Sequence, residues 1–91
     1  MVAAGGSPAP TTMKDHYDLV ADAQNHGSSM MAFLDRVQAN YIRLDHDYGM
    51  GHEISESRLS FDLEDLRKLQ HWAKQYEKAL ESARLRMVKH G

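Results

Sequence analysis

The stretch from Leu59 to Met87 limits most sharply what this chain can fold into. Leu59, Leu63, Leu66, Leu69, Ala73, Tyr76, Leu80, Ala83 and Met87 recur at steps of three and four, with no glycine or proline between them. Those steps place the side chains on one face of an α-helix, which turns every ~3.6 residues. Ser60 is the expected N-cap. Asp62, Glu64 and Asp65 then lie near the positive end of the helix dipole, and Arg84, Arg86 and Lys89 near the carbonyl end.

An earlier stretch keeps the same rhythm through weaker members: Met13, Tyr17, Val20, Gln24, Gly27, Met31, Leu34, Val37, Tyr41 and Leu44. Thr11 or Thr12 is the expected cap. The run "QNHGSSMM" leaves two readings open. Gly27 as a C-cap, with Ser28 or Ser29 as a fresh N-cap, gives three helices; an apolar phase that passes through Gly27 unchanged gives two. Residues 1–11 read as a flexible leader outside the fold, or in part a remnant of cloning. Their Gly, Pro, Ala and Ser offer too little apolar side chain to offset the cost of ordering. A single helical domain is therefore expected over 12–91.

Between the two periodic stretches lies "LDHDYGMGHEIS", residues 44–55. Asp45, His46, Asp47, His52 and Glu53 are metal-ligand types. A helical zinc site, however, takes ligands three or four apart, as in H-E-x-x-H, and a calcium loop takes alternating oxygens with a sixth-position glycine. Neither spacing is present. Tyr48, Gly49 and Gly51 instead suit a chain leaving a helix through a left-handed residue, so the stretch is read as a turn, with no metal and no cofactor.

The expected architecture is thus all-α: an antiparallel helical hairpin. Charge agrees with it. Residues 1–66 carry four Lys/Arg against eleven Asp/Glu, and residues 67–91 seven against two. Folding back would bring residues 84–89 beside Asp15, Asp18 and Asp22, and Arg43 near Asp62 and Glu64. Ninety-one residues without a cysteine leave little core and no disulfide or thiolate staple. Apolar residues also flank the stripes, at Met30, Phe33, Ile42, Trp72, Leu85 and Val88. Such width calls for a second contact surface, and a dimer of hairpins, a four-helix bundle, would supply it.

Catalysis finds no support in the pattern. No nucleophile is paired with a base at a recognisable spacing, and Glu64 and Asp65 are helix neighbours that point about 100° apart. His71 beside Trp72 reads as a polar flank residue. No apolar run reaches the ~20 residues of a membrane span, and no secretory signal is visible, so cytoplasmic residence or export without a cleavable signal is expected.

Two helices joined by an aromatic and glycine turn, with a tyrosine late in the second, resemble the WXG100 (ESAT-6-like) and EspC-like proteins of bacterial type VII secretion. Tyr48 stands where that family has the tryptophan of its W-x-G turn, and Met50, between Gly49 and Gly51, stands where it has the glycine. Tyr76 stands for the tyrosine of a Y-x-x-x-D/E export motif, with Leu80 in the acidic place and Glu81 one residue later. The resemblance implies a dimer exported folded, with no chemistry of its own.

Two function classes follow. One is an interaction protein that pairs with itself or a related chain, with Leu34, Tyr41, Leu66, Leu69, Trp72, Tyr76 and Leu80 at the interface. The other is a small regulatory or antitoxin-like protein whose Lys74, Lys78, Arg84, Arg86 and Lys89 touch nucleic acid or an acidic partner, which only a salt-sensitive association would favour.

Overall fold

The computed structural model describes residues 16–90, with side chains over 17–88. Two α-helices of equal length, α1 (His16–Met50) and α2 (Glu56–His90), pack against each other as an antiparallel hairpin. Each has 35 residues, about 52 Å at ~1.5 Å per residue. The leader and the proposed Thr11 or Thr12 cap lie outside the described residues.

α1 is continuous through Gly27, which settles the two open readings in favour of one helix. Gly27 is there for packing. A Cβ at this position would stand 3.0 Å from Cε1 of Tyr76, so the absent side chain makes room for the tyrosine ring. The helix passes through the position with a tyrosine ring of α2 lying against it.

The connection is built from backbone hydrogen bonds. His52 N donates to Asp47 O at 2.9 Å and Gly51 N donates to Tyr48 O at 3.2 Å. Gly51 lies between them at φ +72°. This pairing is the Schellman helix ending, in which the amides of the left-handed residue and of the one after it close two of the last free carbonyls. Gly49, by contrast, is still helical. At the far side of the turn the cap is Ser55, whose Oγ accepts from Arg58 N at 3.2 Å, five residues before the expected cap Ser60, and α2 starts at Glu56. A serine hydroxyl caps whichever helical amide lies two or three positions on, and both serines meet that condition in the sequence.

The seam between the helices also differs from the stripes of large apolar residues. On α1 the buried and half-buried positions step by four and three through Leu19, Ala23, His26, Met30, Phe33, Val37, Asn40, Leu44 and Asp47. On α2 they run through Arg58, Asp62, Asp65, Leu69, Trp72, Tyr76, Ala79, Ala83 and Arg86. That heptad spacing is coiled-coil packing. Two cross-links set its register, Asp47 with Arg58 at 3.0 Å and Asn40 Nδ2 with Asp65 Oδ2 at 2.9 Å. Met30, Phe33 and Trp72, expected on the flanks, are therefore seam residues. Leu59, Leu63 and Leu66, expected inside, lie one helical step outside it. Small and charged residues make this seam, and hydrophobic periodicity sees neither. Among the described residues the buried apolar side chains are Ala23 and Ala83, and no large one is fully buried.

Candidate interaction surface

The hairpin has two broad faces, and they differ in chemistry. On one, a groove beside the turn is lined by Arg36, Arg43, Glu64, Asp65 and Lys68 together with Phe61. Farther along, the same side carries Asp22, Gln75, Lys78 and Ser82. Arg36 reaches Asp65 at 3.1 Å, and the Phe33 ring sits between Arg36 and Lys68 at 5.6 and 5.9 Å. This face is polar and its charges are largely matched.

The other face is apolar. α1 presents Val20, Gly27, Leu34, Tyr41 and Tyr48 at seven-residue intervals, with Met31 beside them. α2 presents Leu59, Leu66, Ala73, Leu80 and Met87 at the same interval, with Leu63 beside them. Each set lies next to the seam on the side where Gly27, Met31 and Tyr76 meet, which puts both on one surface. Leu66 remains 38% exposed, Leu80 46% and Tyr41 64%.

The seven residues expected at an interface divide between seam and surface. Leu34, Tyr41, Leu66 and Leu80 belong to the apolar face. Leu69, Trp72 and Tyr76 are half-buried in the hairpin's own seam. Trp72 is held there by two rings: His26 stacks on it at 5.8 Å and His71 meets it edge-on at 5.0 Å. Tyr76 lies on Gly27 rather than standing free. Leu59, Leu63 and Met87, assigned to the seam from the sequence, are the face residues that sequence reasoning placed on the wrong side. Their exposure is a matter of a single helical step.

The turn-end seam is ionic. Asp47 and Asp62 flank Arg58 at 3.0 and 3.5 Å; Arg43 lines one groove with Asp62 and Glu64 and donates its hydrogen bond to Asn40 Oδ1 at 3.3 Å. The Arg58 hydrogen bond, helped by His52, holds the Asp47 carboxyl below its ordinary value. Asp65 is also lowered, chiefly by the Asn40 amide and then by Arg36, against a desolvation that pushes the other way. Arg84 pairs with Glu81 of its own helix at 2.6 Å, and Asp15, one of the acids expected beside residues 84–89, lies outside the described residues. Among the basic residues of the regulatory reading, Lys74 and Lys78 are exposed and Arg86 is half-buried; Arg84 and Arg86 point about 200° apart on the helix. The side chain of Lys89 lies outside the described residues.

No helix of the described residues is long and apolar enough to cross a membrane. Comparison with protein-family models, with curated proteins and with solved structures finds no match for this chain.

Proposed function

We propose that this chain is a non-enzymatic interaction module that pairs with a second copy of itself, or with a related hairpin, by burying its apolar face in a four-helix bundle. The observation that carries the reading is the position of Leu59, Leu63, Leu66, Leu80 and Met87: outside the hairpin's seam, exposed, and on the same side as Met31, Leu34 and Tyr41. Covering a half-exposed leucine or methionine contributes on the order of 1 kcal/mol. Association costs about 4–15 kcal/mol in lost freedom, so the whole face must be covered to give a stable pair. Trp72 and Tyr76 stiffen the hairpin that presents the face.

The resemblance to WXG100 and EspC-like proteins extends the proposal to a type VII secretion substrate or partner, exported as a folded pair. Support for that extension is the hairpin and its tip, where Tyr48 is exposed. With Tyr76 packed on Gly27, it draws nothing from the tyrosine motif. The test of the pairing is Leu80→Asp. The variant should keep its helical circular dichroism and lose its association. Association at wild-type strength would reject the face.

A further inference from the structure

We propose that His46, Asp47 and His52 form a binding site for a divalent transition ion of the zinc class, which ties the last turn of α1 to the connection after it. One donor atom from each residue lies within 4.8 Å of the other two. The assignment is independent of the pairing reading and uses no residue of the apolar face.

The backbone explains why a spacing that matches no helical zinc motif converges in space. The Schellman ending folds the chain back so that His52 N bonds Asp47 O at 2.9 Å, which sets the side chain of each above the other. His52 Nδ1 then lies 3.3 Å from Asp47 Oδ1. Two ligands bonded at ~2.0–2.1 Å around a tetrahedral ion are separated by about 3.3 Å. The ion would take the place of the shared proton without moving either group far. His46 precedes Asp47 on the helix, its ring 6.0 Å from that of His52, and both histidines are exposed. Rotation of the His46 side chain closes the third bond. Water completes the four-coordinate sphere, as at zinc sites with three protein ligands.

Arg58 acts on the site in two ways. Its guanidinium takes Asp47 Oδ2 at 3.0 Å, which fixes the carboxylate with Oδ1 turned to the ligand position, as outer partners of metal ligands do. Its positive charge also opposes the cation. The site is therefore expected to be weaker than a closed four-ligand structural site.

Zinc chloride titrated calorimetrically into the chelator-stripped full chain tests this, with cobalt(II) absorption as a second readout. The wild type should take up one ion per chain, show the intense visible bands of tetrahedral cobalt, and gain several degrees in Tm. His46→Ala and His52→Ala should each weaken binding by about tenfold or more, while melting within a few degrees of wild type in chelator. Three outcomes would overturn the site: no uptake at millimolar zinc, equal affinity in the variants (an ion on other histidines), or one ion per two chains (a bridge between copies).

Discussion

At the scale of single residues the two glycines of the turn carry opposite duties. Gly51 stands at φ +72°, where a side chain is strained, while Gly49 is helical and a Cβ there would meet nothing within 4 Å. Gly51→Ala should lower stability by about 1 kcal/mol and Gly49→Ala raise it by up to about 1 kcal/mol, as read from paired chemical denaturation curves. If both substitutions destabilise equally, the Schellman ending is misplaced. Both glycines stand out in the sequence as turn formers. Which one leaves the helix depends on where the last turn of α1 stops, and no residue type signals that. The meeting of His46, Asp47 and His52 is hidden for the same reason, since it appears only when the chain reverses at Gly51.

At the scale of the elements the polar layers of the seam set register. Asn40 faces Asp65 and Asp47 faces Arg58, and a shift by one heptad would leave each of these groups unpaired between helices. Buried polar positions in coiled coils select one alignment at some cost in stability. Arg58 shows that cost, because its Nε and Nη2 are buried without a hydrogen bond. Asp65→Ala should destabilise the hairpin by about 1–2 kcal/mol, measured by urea denaturation. Acid should act through the same groups. Hydrogen bonds from Arg58 to Asp47 and from Asn40 to Asp65 hold both folded carboxyls below their ordinary value, so the unfolded chain takes up protons first as pH falls. Their contribution is complete only well above the unfolded carboxylate range; its loss begins at about pH 5 and continues as pH drops through the folded values. Tm should accordingly fall steeply below pH 4 in the wild type and less so in Asp65→Asn; equal profiles would remove Asp65 from the account.

The two helices and their antiparallel return were legible in the three-four spacing and the charge order of the chain. The phase of the seam was not. Ala23, Ala79 and Ala83 pack because they are small, and Asn40, Asp47, Arg58, Asp62 and Asp65 pack because they bond one another. A periodicity count weights Leu59, Leu63 and Leu66 above all of them. Those leucines mark a real apolar face, but it is the one the hairpin leaves uncovered. The start of α2 at Glu56 was obscured by two serines of equal capping strength, Ser55 and Ser60.

At the scale of the whole molecule, the described hairpin has an ionic turn end, little buried apolar side chain and an apolar face left to cover. The seam and the face make separate predictions. Leu69→Asp places a carboxylate between the helices and should abolish helicity, whereas Leu66→Asp should leave the hairpin folded and abolish pairing. Circular dichroism and solution mass measured on the same samples separate the two. The most direct test is the mass of the unaltered chain by size-exclusion chromatography with light scattering, in chelator and at moderate salt. Pairing through the apolar face predicts a helical species of twice 10.3 kDa, little changed by raising the salt. A fully helical monomer of 10.3 kDa at high protein concentration would contradict self-pairing through the apolar face.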